Sequence, residues 1–434
     1  MTRLPAPSGR LYWGLLLLIA AFVFIRVAGF DFVMWDDDRM LYLNPHVQGL
    51  TPENLRWMFT DSAYNRLYMP LGWLDYAVSV ALFGLSASAH HLVNLALHLI
   101  NTLLVFAVLR QLLKSLLPAA ASANPRLLAA FAGALFWGVH PLRVEVVAWV
   151  GARVHCFAAV FVLAAVWCYL RAASFNPNVA WKRPLFWAAV LLYLISLLSF
   201  PIALMLPAVF LVLDIYVLRR TSAPAWRNTL VFLLEKIPFA LVAAIPLAMS
   251  LWGRAHSDMG AEPTLAQFSI VARIMQASYV WIHYLVVTVV PVDLSPVYTK
   301  LVNFSPLDSV FLGCFAAAVL ISVLSFHVRR RHPAVWAAWL CHLIILVPFL
   351  GLTEHPHYAS DRYSYLDAVI WSAALAWGVH RLLQLNAVLR SRQLAAGAAV
   401  AVILATFGTL TYLQTAVWTN SESLFRYVIA QLGD

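Results

Sequence analysis

The sequence predicts an all-α polytopic membrane protein that crosses the bilayer about eleven times. Of its 434 residues 63% are hydrophobic and 11% charged, and the mean hydropathy is +0.80, where a soluble domain carries roughly 25% charged residues. Apolar runs of about the 20 residues that a helical span requires recur along the whole chain. Lys and Arg outnumber Asp and Glu by 29 to 19. They fall mostly in short segments between the runs, where they read as topology signals and lipid-headgroup contacts rather than as a nucleic-acid surface.

Arg3 and Arg10 precede the first span, 11–30, and place the N-terminus on the cytoplasmic side. That run is too long for a cleavable leader and no small-residue cleavage site follows it, so it reads as a retained span. Residues 31–87 form the first external loop. Within it Thr51 caps a short helix at 52–60 with Glu53 in its first turn, and the aromatic stretch 72–85 lies in the interface. Spans follow at 88–113, 127–141, 154–171, 184–200, 202–218 and 237–252, with the basic groups Lys114, Arg126, Arg171, Lys182, Arg183, Arg219 and Arg220 marking inner ends. Residues 253–305 form a second large external or interfacial loop. Its apolar stretch 273–291 reads as a helix lying in, or re-entering from, the outer interface, because a full span there would put Arg329, Arg330 and Arg331 outside. Spans at 306–326, 334–352, 366–384 and 393–414 complete the eleven and leave 415–434 as a short external tail. The chain reads as one transmembrane domain, 1–434, with no internal repeat. Cys156, Cys168, Cys314 and Cys341 lie in apolar runs without paired spacing and read as small buried hydrophobes.

Four polar constellations fall on one side under this topology. The first is Asp36-Asp37-Asp38, directly after the first span and beside Phe32 and Trp35. Charge at a bilayer boundary marks a functional site by default, and a positioned carboxylate is a general base; a solvated loop that stops the helix is the competing account. The second is a stripe on the 88–113 span, where His90, Asn94, His98 and Asn101 share one helical face, with His91 adjacent. Interhelical hydrogen bonding and substrate binding both fit, with His90 and His91 nearest the outer surface. The third runs from His140 and Arg143 through Glu145, Trp149, Arg153 and His155, with Glu145, Trp149 and Arg153 four apart; it reads as a charge network or a helix-anchoring ion pair. The fourth is Glu354, His355, His357, then Asp361, Arg362, Tyr363 and Tyr365. The fork of Arg362 suits a phosphate and the tyrosines suit a sugar or an isoprenoid chain, against a plain Asp361–Arg362 pair. No spacing demands a metal, and no cofactor is predicted.

At these residues the chain resembles the GT-C superfamily of membrane glycosyltransferases, in the protein O-mannosyltransferase-like branch that includes the transmembrane-and-tetratricopeptide-repeat O-mannosyltransferases. The matching pieces are Phe32-Val33-x-Trp35-Asp36-Asp37 with Asn44-Pro45, Tyr68-x-Pro70-Leu71, His91-Leu92-Val93-Asn94 with His98, and His140-Pro141-Leu142-Arg143-Val144-Glu145 with Ala148-Trp149 and Arg153. Ser199, Pro201, Leu206-Pro207 with Asp214, Tyr284-Leu285 with Pro291, and Asp361-Arg362-Tyr363-x-Tyr365-Leu366 follow in order. The resemblance implies a GT-C-like helical bundle and an inverting transfer of a sugar from a polyprenyl- or dolichyl-phosphate donor, on the periplasmic or lumenal face. Ser/Thr of an envelope protein is the expected acceptor, with a lipid or cell-wall glycan as alternative. It further implies Asp36 or Asp37 as base and Arg362 on the donor phosphate; the polar constellations add Arg153 as a second candidate phosphate ligand and His90, His91, Asn94, His140, Glu145, Tyr363 and Tyr365 as the expected substrate pocket. The sequence departs from the pattern at His155, where relatives carry Asp, at Phe200, where Lys is common, and in having no tetratricopeptide array before Asp434. A transporter or flippase for lipid-linked sugars, and a non-catalytic scaffold, are the rival classes. The Arg-over-Lys, Ala-rich composition suggests a bacterial inner membrane.

Overall fold

The computed structural model describes residues 9–432 except 63, 65–67, 118–122, 176–179, 221–224, 257–263, 353–354 and 385–389; Arg3 and Glu354 therefore lie outside the described residues. Among the described residues the chain is helical without a strand, with one isolated bridge between Tyr298 and Ala359. The helices are α1 (Gly9–Phe24), α2 (Pro52–Thr60), α3 (Pro70–Phe83), α4 (Ala87–Leu116), α5 (Ala123–Gly138), α6 (Val144–Ala148), α7 (Arg153–Phe175) and α8 (Pro184–Ser199). They continue with α9 (Leu206–Val212), α10 (Ala225–Ala255), α11 (Ile270–Val289), α12 (Ser309–His327), α13 (Pro333–Ile345), α14 (Ser364–Leu383), α15 (Arg390–Gln414) and α16 (Ser421–Leu432). The main core gathers α1, α4, α5, α7, α8 and α14; a second cluster is built on α11 and the 294–301 segment.

Local chemistry sets the ends. Thr51 caps α2 by accepting from the Asn54 N–H (3.2 Å), with Pro52 in the first turn where its missing N–H costs nothing. Gly84 ends α3 at φ +58°, a conformation open to glycine. α4 has 30 residues, about 45 Å at 1.5 Å each, enough to cross a hydrocarbon core of about 30 Å and project beyond it. α5 is bent by 57° into the Pro141–Ala148 segment, because Pro141 has no N–H to continue the ladder and His140 Nδ1 accepts the Leu142 N–H instead (3.2 Å).

Helix length and composition do not by themselves confirm the expected eleven spans. Seven described helices are long and apolar enough to cross a membrane, or eight with the bent pair, while Pro70–Phe83, Pro184–Ser199, Leu206–Val217 and Pro333–Ile345 are shorter. Pro201 and Pro207 interrupt what reads in the sequence as nearly continuous apolar chain, and α13 stops before Pro348. The 273–291 stretch is helical, as expected. α11 is an unbroken helix of 20 residues that meets the length and apolarity of a full crossing, so nothing in its backbone turns it back. The 72–85 stretch falls largely within the regular helix α3, with Trp73, Tyr76 and Ala77 buried.

Candidate functional site

The acidic motif forms a tight turn. Asp37 is fully buried and accepts two backbone N–H groups, from Val33 (2.9 Å) and from Gly151 (2.6 Å). Asp36, one residue before, is exposed and sits at φ +75°, the left-handed region that few non-glycine residues enter, Asp and Asn among them. The buried neighbour thus fixes the backbone that turns Asp36 outward. Burial among protein atoms raises the Asp36 pKa; the Arg362 guanidinium opposes that rise, followed by Arg39, while Asp38 adds to it. Burial lifts Asp37 further, to about 7, against its two N–H bonds and the field of Arg153.

Arg362 is the second feature. Its guanidinium and its backbone N–H (2.7 Å) both bind the Glu145 carboxylate. The guanidinium carbon lies 5.3 Å from the Trp149 ring centre and 4.8 Å from that of Tyr363. Glu145 is 2% exposed and the Arg362 side chain 19%, so the arginine keeps an open edge while its acid partner is enclosed. The bend at His140–Pro141 makes this pairing possible, since it sets α6 across the end of the bundle.

Next to Arg362 the side chains of Ile202, Ile345, Phe349, Leu366 and Tyr363 close around His155, leaving a gap too tight to hold a water molecule. His155 is 5% exposed, and neither ring nitrogen has a hydrogen-bond partner; the nearby Ala152 carbonyl falls outside bonding geometry. Its ring lies 4.6 Å from Phe200. The two positions at which the sequence departs from the resembled pattern are therefore packed on each other.

Other expected residues act on the protein rather than on open space. Arg153 is fully buried. It donates to Asn94 Oδ1 (2.7 Å), Ser79 Oγ (3.0 Å), His90 Nδ1 (2.8 Å) and the His90 carbonyl (3.0 Å), with Asp75 at 3.7 Å. A guanidinium so engaged is not presented to a phosphate, and His90 and Asn94 are its ligands. His91 Nε2 meets the Asp31 carbonyl (3.2 Å), and His140 Nε2 the Thr288 carbonyl (3.0 Å). Tyr365 is buried in a network with His98 (2.9 Å), Asn101 (3.2 Å) and Cys156 (3.3 Å). Tyr363, stacked on Phe349 at 4.5 Å, stays at the edge of that gap. The polar stripe of α4 is thus an interhelical framework, and the less enclosed end of the site consists of Asp36, Arg362 and Tyr363.

Sequence reasoning missed several partners. Asp75 and Ser79 of α3 complete the Arg153 shell, and only the acidic residue in an apolar run hinted at it. Tyr298 donates to Asp361 Oδ1 (2.7 Å), joining the 294–301 segment to the site; burial and the charge of Glu145 hold the Asp361 pKa far above the usual carboxylate range. The 415–432 stretch, expected as a tail, packs on the acidic motif. The Asp31 N–H donates to the Thr419 carbonyl (3.0 Å), the Met34 N–H to Ser421 Oγ (2.9 Å), and Trp35 meets Phe425 at 5.8 Å.

Fold and site together define a helical multi-span membrane protein with an acidic and an arginine centre at one end of its bundle. No family model matches the chain. It is similar to curated protein O-mannosyl-transferases, as the motif series implied. It is 34% identical to Protein O-mannosyl-transferase Tmtc1 of Drosophila melanogaster over 33% of this chain and 16% of that protein. It is 34% identical to Tmtc2 of the same fly over 35% of this chain and 16% of that protein. Against Protein O-mannosyl-transferase F38B6.6 of Caenorhabditis elegans the identity is 24% over 67% of this chain and 40% of the relative. The chain spans less than half the length of each of these relatives.

Proposed function

We propose that the chain is an inverting membrane glycosyltransferase that moves a sugar from a polyprenyl-phosphate donor to a hydroxyl group of a protein. The observation that carries this reading is an exposed carboxylate in a left-handed turn, Asp36, in the field of the Arg362 guanidinium, which opposes the rise that burial gives its pKa. Asp36 takes the proton of the acceptor hydroxyl as that oxygen forms its bond to the anomeric carbon. The carbon–oxygen bond to the donor phosphate breaks, its electron pair leaves on the phosphate, and Arg362 neutralises the charge that develops there. Glu145 and Trp149 hold the arginine in place. Asp37, Arg153, His90, His91, Asn94, His140 and Tyr365 keep this geometry rigid without touching substrate. The relatives' names supply the protein acceptor and point to mannose.

The site faces the periplasm of a bacterial inner membrane in this reading. Its support is the basic cluster at the other end of the bundle, where Arg110, Arg126 and Arg171 surround Lys114, on the side that positive residues mark as cytoplasmic. The test is glycopeptide mass spectrometry of envelope proteins from cells carrying wild type or Asp36→Asn. A hexose-sized mass present only with wild type supports the proposal; identical glycopeptides from both overturn the assignment of Asp36.

A further inference from the structure

Beside the site lies a second recess that the sequence did not suggest. It is an open cleft of about 680 Å³ between the segment after α11 and the last turns of α16, with Asp293, Tyr298, Lys300, Asn303, Val428 and Gln431 among its walls. Its size lies within the range of about 300–1,000 Å³ typical of ligand sites. Its walls are formed in advance. The Leu294 carbonyl accepts from Gln414 (3.2 Å), Tyr427 (2.8 Å) and Gln431 (3.5 Å), which binds the 293–301 segment to α15 and α16.

Two connections tie this cleft to the site. Tyr298 lines it and donates to Asp361, the residue before Arg362. Phe425 of α16 packs on Trp35, next to Asp36, and Val428, three residues on, lines the cleft. One helical turn, about 5 Å of rise, therefore separates the side chain that touches the acidic motif from the one that forms the cleft wall. The lining is mixed: both signs of charge, the carboxamides of Asn303 and Gln431, and the apolar Val428 and Phe311. Carboxamides pair with peptide groups and apolar patches take side chains, whereas an isoprenoid chain would strand the charges.

We infer that this cleft docks the acceptor as an extended polypeptide segment, from which a Ser or Thr hydroxyl reaches Asp36. The inference rests on the transferase reading above, but it is tested separately from it. A synthetic Ser/Thr-rich peptide carrying a diazirine is cross-linked to the full-length protein in detergent, in the Asp36→Asn background, where no turnover is required. Cross-links are expected in residues 293–303 and in α16. In the active protein, Asn303→Trp and Val428→Trp are expected to raise the peptide KM at least tenfold and to leave the donor KM within twofold. Asn303 is exposed, so its variant does not disturb packing if Val428→Trp fails to fold. Cross-links confined to other regions, or an unchanged peptide KM in Asn303→Trp, overturn the inference. Cleft cross-links together with no sugar transfer by the wild-type protein uphold the docking site and refute the transferase reading.

Discussion

The two aspartates of the motif differ enough in environment to be separated by one pair of variants, Asp36→Asn and Asp37→Asn. Asp36 is exposed and makes no bond that holds the fold together, so its amide variant removes the base and little else. Loss of a general base slows transfer by about 10²–10⁴-fold, with thermal stability unchanged. Asp37 is fully buried with an N–H group on each oxygen, at 2.9 and 2.6 Å. An amide in its place keeps one acceptor and turns an NH₂ against the other donor. A buried unmet donor costs about 1–3 kcal/mol, so Asp37→Asn lowers stability by that amount and reduces transfer by disturbing the turn that aims Asp36. The pH dependence of unfolding provides an independent check. Burial raises Asp37 to about 7, so ionisation opposes folding. The stability tied to this group is complete below its ordinary pKa of about 4 and is lost as pH rises through 7. Wild-type protein therefore loses melting temperature between pH 5 and pH 8 by an increment that Asp37→Asn lacks. Scanning fluorimetry in detergent with a donor-turnover assay reads both quantities. If Asp37→Asn melts like wild type and abolishes transfer while Asp36→Asn retains it, the division of roles is refuted.

Further expectations follow from the same geometry. Because the Asp36 pKa is raised while Arg362 holds it down, transfer falls off on the acid side above the ordinary aspartate value, and Arg362→Gln moves that limb to still higher pH; an unmoved limb in a pH–rate profile would break the link between the two groups. Arg153→Met leaves Asp75, Asn94 and His90 without their buried partner and costs about 3–5 kcal/mol, measured as loss of folded protein on size-exclusion chromatography. Near the opposite end, Asp214, Arg220, Glu235 and Lys236 form a buried network with Arg220–Asp214 at 3.0 Å and Lys236–Asp214 at 2.7 Å; Asp214→Asn is destabilising to a similar degree, with donor KM unchanged in the folded fraction. Gly151→Ala places a methyl group about 2.7 Å from the Trp149 indole nitrogen, so it displaces Trp149 and weakens the Gly151–Asp37 bond, and its transfer rate falls with that of Asp37→Asn.

Much of the architecture was legible because bilayer thickness imposes itself on local sequence. α4, α7, α12 and α15 stand out as long apolar windows, and the Thr51 cap fixes the start of α2. The crossing count was less legible. Proline-interrupted stretches such as 184–218 contain enough apolar residues for spans yet form short helices, and α11 has a length and composition that suit a crossing as well as an interfacial helix. At the site, the acidic motif, Glu145 and Arg362 could be singled out from charge in apolar surroundings. Which groups are spent on the fold could not. That Arg153 is enclosed depends on Asp75 and Ser79, more than 70 positions away, and the docking of 415–432 on the acidic motif depends on contacts across almost the whole chain. Such pairings leave no periodic trace.

The enclosure of Arg153 also bears on how the protein enters the membrane. Asp75, Ser79, His90 and Asn94, the side chains that satisfy this guanidinium, all precede it in the chain. Synthesis from the N-terminus therefore delivers the receiving shell before the charge. When α7 leaves the ribosome, α3 and α4 have already emerged, and the arginine can pass from the aqueous exit path into a prepared cradle instead of bare hydrocarbon, where a lone cation is costly. A permuted chain with α7 ahead of α3 would contain every one of these contacts and would have to insert the charge unaccompanied.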